Sequence, residues 1–397
     1  MIRKLKSGKY RLYSRGGQGM DAYLGSRSPR RLMAALGAGM GLANGVFTGV
    51  DADMAPPRVG APPEVDRLAV TVVTDSYHHN FEASGNFCGV DVKRFTLPLT
   101  SEPPRRVLQN EWGLALHVES ARGAETRRVL IDFGYTYETI NNNLDLLQID
   151  PSKLDAMVLS HGHYDHFGGM VGFLHAHRRK LRPALAFYLG GEECFCARET
   201  GPANEPRNFG VLDRRAIAEA NLRVLFAERP SLVAGHGFTT GWIPMVSFEK
   251  PAQPSRMKIG IGPDGMGCAA ARLPEGKRDV AMMVDDFQHE QATCFHVKGK
   301  GLVVTTSCGH RGVVNTVEAA IKVSGVSKLH AILGGFHLMP LSAEYAQETA
   351  RALAKFEPDC LIPMHCSGEN FFDAARQAMP GRVVRTSTGT RFMFGTA

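Results

Sequence analysis

Between Asp155 and Gly169 the chain reads Asp-Ala-Met-Val-Leu-Ser-His-Gly-His-Tyr-Asp-His-Phe-Gly-Gly. Four groups able to bind metal fall within six residues: His161, His163, Asp165 and His166. Imidazole nitrogens with a hard carboxylate oxygen form a donor set that zinc, iron or manganese accepts. The apolar run Met157-Val158-Leu159 before them reads as a short buried strand. In an extended segment residues i and i+2 face the same way, so His161 and His163 are placed to share one ion. Asp165 and His166, past the bend, are placed to serve a second ion beside it. Gly162 reads as the residue that lets the backbone turn sharply, and Gly168-Gly169 as the pair that admits a closely packed helix. A solvated loop accounts for one stray histidine. It does not account for four donors directly after a buried strand.

Further donors are expected where the last hundred residues repeat one plan three times. Strand Leu302–Thr306 runs into Ser307-Cys-Gly-His310 before a helix at 313–323. Strand Leu329–Leu333 runs into Gly334-Gly-Phe-His337 before a helix at 343–356, and Cys360–Met364 into His365-Cys-Ser-Gly368 before a helix at 371–379. Ligands of α/β sheets bind at the C-terminal ends of strands, so His310 and His365 are candidate metal ligands. His337 is a candidate pocket residue or acid. His78, His79, His175, His177, His236, His289 and His296 lack this placement.

The elements that position these residues start at about residue 68. Leu68–Thr74, Leu114–Val118 and Arg128–Asp132 read as strands joined by hairpins, followed by a helix at 139–147. Asp132, at a strand end, is placed either to hydrogen-bond a ligand histidine and fix its tautomer or to serve as a plain turn aspartate. Residues 190–300, with a helix near 214–220, are less regular and read as a substrate-side cover without a core of its own. Strand-like segments at Arg382–Thr386 and Arg391–Phe394 close the chain.

The chain has 397 residues and a formal net charge of +7. Nine Lys/Arg against one Asp lie in residues 1–31, and residues 53–397 balance to zero. The basic excess therefore belongs to the leader, and nucleic acid is not implied as a partner. Arg30-Arg31 precede a weakly apolar Gly/Ala-rich run from Leu32 to Val50, with small residues near Asp51 and Ala55. This resembles a twin-arginine export signal, which implies the twin-arginine machinery as a partner and a periplasmic or exported mature protein. A basic tail on a cytoplasmic protein is the alternative. The run is too broken to serve as a stable membrane insertion. Residues 1–55 are thus read as leader, 56–67 as a Pro-rich linker and 68–397 as one domain. Eight cysteines show no CxxC pair, so a zinc ribbon is not expected. Most read as inert buried residues, with Cys308 and Cys366 as thiols beside candidate ligands.

The H-x-H-x-D-H stretch resembles the signature of the metallo-β-lactamase superfamily. Val73-Thr-Asp75, Asn110-Glu-Trp-Gly-Leu114, Thr240-Gly-Trp-Ile-Pro244, Thr306-Ser-Cys-Gly-His310, Gly334-Gly-Phe-His-Leu338 and His365-Cys-Ser-Gly368 extend the likeness. They point to the subgroup that includes 7,8-dihydropterin-6-methyl-4-(β-D-ribofuranosyl)-aminobenzene-5′-phosphate synthase. The resemblance implies an αββα sandwich, two mixed sheets between outer helices, with metals at one edge. It assigns His161, His163 and His310 to a first ion, and Asp165, His166 and His365 to a second. Two divalent ions are expected, zinc first, with manganese or iron as alternatives. Many hydrolytic members add a bridging aspartate where this chain reads Gly334-Gly-Phe-His337.

A bound divalent ion lowers the pKa of its water from about 15.7 to about 7. The expected reaction is attack of that hydroxide on a phosphoester, cyclic phosphate or lactone-type ester of a small molecule. Asp165 would orient the nucleophile and His337 would protonate the leaving group. Asp75, Glu111, His337 and Trp112 are candidate substrate contacts. Three other readings remain: a mononuclear iron oxidoreductase at the His161/His163/His310 end, a pterin- or phosphoribosyl-related synthase, and a binding protein on a degraded site.

Overall fold

The computed structural model describes residues 2–4, 10–13, 19–20 and 60–395, apart from 80–81, 97–100 and 253–254. Its backbone divides into two units, Met1–Gly49 and Val50–Ala397. In the first, Ile2–Lys4, Tyr10–Tyr13 and Gly19–Met20 pair in that order as an antiparallel sheet. The arginine pair, the apolar run and the expected cleavage point lie outside the described residues. In the second unit the linker is shorter than its prolines suggest. Glu64–Val65 already pairs in parallel with Thr293–Val297, and Arg67 opens the next strand.

Two sheets organise that unit. The first has nine strands in the order Arg223–Phe226, Ala186–Leu189, Ala156–Val158, Glu125–Ile131, Ala115–Arg122, Arg67–Thr74, Arg391–Gly395, Val90–Lys93, Gly85–Phe87. The second runs Ser231–Val233, Gly237–Thr239, Thr293–Val297, Gly301–Thr306, Leu329–Gly335, Cys360–Met364, with Glu64–Val65 beside Thr293–Val297. Both mix parallel and antiparallel pairs.

Period-two alternation gives each strand two buried faces. Val70, Val118, Val129 and Val158 of the first sheet join Phe295, Val303, Ala331 and Ile362 of the second in one core. The opposite face of the first sheet, with Val73, Leu130 and Met157, packs on Ile140 and Leu144 of helix Tyr137–Leu146 and Phe173 of helix Met170–His177. The opposite face of the second, with Leu302, Val304 and Leu361, packs on helices Val313–Ser324, Ala343–Ala354 and Glu369–Ala378. Each fully buried Val, Leu or Phe contributes about 1.5–3 kcal/mol. The expected αββα sandwich is this arrangement.

Three expectations are corrected. The irregular middle is no single insertion, because Arg223–Phe226 belongs to the first sheet and Ser231–Val233, Gly237–Thr239 and Thr293–Val297 to the second. Between them a small antiparallel sheet forms from Ala197–Thr200, Arg207–Asn208, Arg256–Lys258 and Met282–Val284. Arg382–Thr386 is no strand; only Val383 bridges, to Leu361. Four cysteines are paired, Cys88 with Cys360 and Cys196 with Cys268, leaving Cys194, Cys294, Cys308 and Cys366 as buried thiols. Among the described residues no helix is long and apolar enough to cross a membrane.

Candidate metal centre

Gly301–Thr306, Leu329–Gly335 and Cys360–Met364 are parallel, so their C-terminal ends lie on one side of the second sheet. His310, His337 and His365 follow those ends, and the loop after Ala156–Val158 brings His161, His163, Asp165 and His166 to meet them from the first sheet. One ligand atom each from His161, His163 and His310 lies within 4.8 Å of the other two, and the same holds for Asp165, His166 and His365. Ring centroids are 4.9 Å apart for His161–His163 and 4.7 Å for His163–His310. The two sets adjoin through His161 and His166, 4.3 Å apart.

Neighbours occupy one nitrogen of most of these rings and free the other. Ser160 Oγ is 3.0 Å from His161 Nδ1, and Ser255 Oγ is 2.9 Å from His163 Nε2. Asp132 Oδ2 is 2.8 Å from His166 Nδ1, and Ser76 Oγ is 3.0 Å from His365 Nδ1. Such outer contacts fix tautomer and ring orientation at metal sites. They leave His161 Nε2, His166 Nε2 and His365 Nε2 facing the centre. These atoms, with Asp165 Oδ1 and both nitrogens of His310, are buried without a hydrogen-bond partner. A buried polar atom without a partner costs about 1–3 kcal/mol, and so many converging on one spot fit a cation.

The electrostatics agree. Burial and the neighbouring imidazoles hold His161 and His310 well below the usual histidine range. Burial likewise takes His163 down to about 3, despite the Asp165 and Asp285 carboxylates. Neutral imidazole is the form that ligates a metal. Asp165 is held below the usual carboxylate range: burial opposes its charge, and His166 and His365 outweigh that. His365 differs. Burial disfavours its charge, yet Cys366, Asp165 and Asp75 push it up to about 9, with Nε2 3.3 Å from Asp165 Oδ2. A cation held by His365 and Asp165 would supply the positive charge that the proton supplies here.

The remaining expected residues divide. His337, at φ 46° just past its strand, has its ring centroid 4.0 Å from that of His310, tilted by 45°, and Nδ1 3.3 Å from Cys308 Sγ. Its Nε2 is free of partners. Asp75 and Glu111 both hold backbone N–H groups. Asp75 is fully buried and accepts hydrogen bonds from the backbone N–H of His365 at 2.8 Å and of Ser76 at 2.7 Å. Glu111 accepts from the N–H groups of Tyr135 and Thr136 and the Thr136 hydroxyl, fixing the entry to helix Tyr137–Leu146. Trp112, 47% exposed, lies 5.1 Å from the His365 ring and forms part of the rim. Gly162 also serves differently than expected. Its φ is ordinary, but a Cβ there would meet the Arg198 guanidinium at 2.5 Å.

No aspartate stands at the Gly334-Gly335 turn because no side chain has room. A Cβ on Gly335 would meet Ser307 O at 2.3 Å, Cys366 Sγ at 2.9 Å and His365 Cδ2 at 3.2 Å. Sequence reasoning missed Ser76, Ser255 and Phe287. Phe287 stacks on His310 at 3.9 Å and 4° and closes the first set. Nothing local marks these residues, since each meets its histidine only through folding. A cavity of about 900 Å³ lies elsewhere, along Arg67, Lys93, Glu119, Arg128 and Arg391.

Residues 121–183 match the family described as the metallo-beta-lactamase superfamily. The chain is 28% identical over 274 residues to 7,8-dihydropterin-6-methyl-4-(beta-D-ribofuranosyl)-aminobenzene-5'-phosphate synthase of Methanocaldococcus jannaschii, covering 66% of this chain and 84% of that one. An uncharacterised protein of the same organism is 26% identical over 251 residues, 61% of this chain and 80% of its own length. The crystal structure of a metal-dependent hydrolase of the β-lactamase superfamily superposes with a TM-score of 0.58 at 20% identity, over 82% of this chain and 98% of the other. The two-sheet sandwich is thus the metallo-β-lactamase fold, and in sequence the chain is similar to that superfamily over residues 121–183 and to the methanogen synthase over 274 residues.

Proposed function

We propose that the chain is a metal-dependent hydrolase acting on a phosphoester, cyclic phosphate or lactone-type ester of a small molecule. The observation that carries this is the pair of adjoining donor sets, His161/His163/His310 and Asp165/His166/His365, with buried donor atoms that no group among the described residues satisfies. Divalent ions held there, zinc first among them, supply Lewis acidity and a water acidified to near neutrality. Asp165, with one oxygen 3.3 Å from His365 and the other unpaired, is placed to accept a hydrogen bond from the attacking water. His337 Nε2, free and beside His310, is placed to give a proton to the leaving oxygen. Trp112 offers an exposed aromatic face for a flat substrate group. The leader's arginine pair and the two disulfides support export, since disulfides persist in oxidising compartments.

The test is metal content and turnover of the wild type beside His161→Ala and His365→Ala. About two equivalents of zinc, reduced in each variant, with hydrolysis of a phosphodiester or lactone falling at least about 100-fold, is the expected result. A metal-loaded wild type that hydrolyses neither class overturns the proposal. The relative's name favours a second reading, a synthase joining a pterin to a phosphorylated ribosyl compound. Product formation from two such substrates without net hydrolysis would select it.

A further inference from the structure

We infer that Cys308 is a further ligand of this centre, its sulfur set against both donor sets. This rests on the metal-centre reading above. Cys308 is 2% exposed, and its Sγ lies within 4.8 Å of ligand atoms of both His161 and His166. His161 belongs to the first donor set and His166 to the second, so one sulfur stands against both. The Gly334-Gly335 turn excludes a carboxylate from its own position, and Gly335 leaves the space that Cys366 Sγ fills.

On its other side the sulfur is held by two groups able to donate to it. His337 Nδ1 is 3.3 Å away and Cys366 Sγ 3.1 Å away. Cys366 in turn takes the backbone N–H of His337 at 3.3 Å and is fixed in place. Donors behind a thiolate stabilise its charge and leave lone pairs in front for an ion. On binding, the S–H bond breaks, a sulfur–metal bond forms, and one proton leaves to solvent. A thiolate also sharpens metal choice. Sulfur suits zinc or iron, while manganese prefers an all-oxygen and nitrogen set.

Cobalt(II) alone is the probe, added without oxygen to the metal-free full chain with its two disulfides intact. A thiolate bound to cobalt(II) gives an intense near-ultraviolet charge-transfer band that histidine and carboxylate ligands do not give. The wild type is expected to show the band and bind about two cobalt ions. Cys308→Ser is expected to lose the band, keep its circular dichroism and bind cobalt about 10- to 100-fold more weakly. Cys366→Ser is expected to keep the band, which separates the ligand from its neighbour. Cobalt bound to the wild type without the band overturns the assignment and leaves the metal centre standing. So does a band lost in Cys366→Ser and kept in Cys308→Ser. Failure of the wild type to bind cobalt overturns both.

Discussion

At the scale of single residues the centre depends on groups that never touch an ion. Asp132 sits at φ 59° and serves two partners. Oδ1 accepts from the Ser160 N–H at 2.8 Å, and Oδ2 accepts from the Ser160 hydroxyl at 2.7 Å and faces His166 Nδ1 at 2.8 Å. Asp132→Asn keeps the backbone conformation, since asparagine tolerates that region, but places an amide where two donors need an acceptor. The expected result is about 10- to 100-fold weaker metal binding with the fold retained, read by chelator competition; unchanged affinity would refute this role. Asp132 was legible in part: it follows the strand Glu125–Ile131, where an aspartate can orient a ligand histidine or simply make a turn, and only the fold brings it to His166. Gly162 was legible as glycine but not for its reason. Its space is taken by Arg198, which Asp285 Oδ2 holds at 2.7 Å and the carbonyls of Cys196 and Glu193 at 3.0 Å. Because that guanidinium is pinned, Gly162→Ala is expected to destabilise by about 1–3 kcal/mol, measured by urea unfolding. A neutral result would mean that the guanidinium yields.

At the scale of elements, the three strand–loop–helix repeats set the donors, and the helix after His310 has a cap that responds to pH. Glu249 Oε2 accepts from the N–H groups of Val314 and Asn315 at 2.9 and 3.1 Å, at the start of Val313–Ser324. Burial pushes its carboxyl up to about 7, against the pull of these N–H groups. The folded state therefore binds this proton more tightly than the unfolded chain. The stabilisation is full below about 4.5, and falls as pH rises to about 7 by on the order of 3 kcal/mol. Glu249→Gln keeps an oxygen for the N–H groups and removes the titration. It is expected to exceed the wild type in stability at pH 8 and to approach it at pH 5, measured by urea unfolding at both values. A gap independent of pH would rule out the carboxyl as its cause. These repeats were legible because apolar runs of five or six residues precede amphipathic helices. The middle was not, because its strands are two to five residues long and pair across distance. Phe238, for instance, meets Cys294, and Arg256 meets Val284.

At the scale of the whole molecule, two covalent ties join parts that the sequence keeps far apart. Cys88, in the turn between Gly85–Phe87 and Val90–Lys93 at one edge of the first sheet, is bonded to Cys360 across 272 residues. Cys360 opens the edge strand of the second sheet that ends at His365. Cys196 is bonded to Cys268 across 72 residues, tying the small antiparallel sheet to the two-stranded ribbon Gly260–Ile261/Gly267–Cys268. Spacing alone does not reveal such pairings, since eight cysteines admit many combinations. Closing loops of this length restricts the unfolded chain by about 4–6 kcal/mol each, so reduction is expected to lower the unfolding midpoint. The pairing also bears on where the protein works. Reducing compartments keep thiols free, so these pairings lend support to the proposed export. Protein collected from the periplasm or medium, unfolded without reductant, is expected to show four reactive thiols, those of Cys194, Cys294, Cys308 and Cys366. After reduction all eight should react. Eight thiols before reduction would remove both the covalent ties and the support they lend to export, while peptide mapping of the four would identify which bonds form.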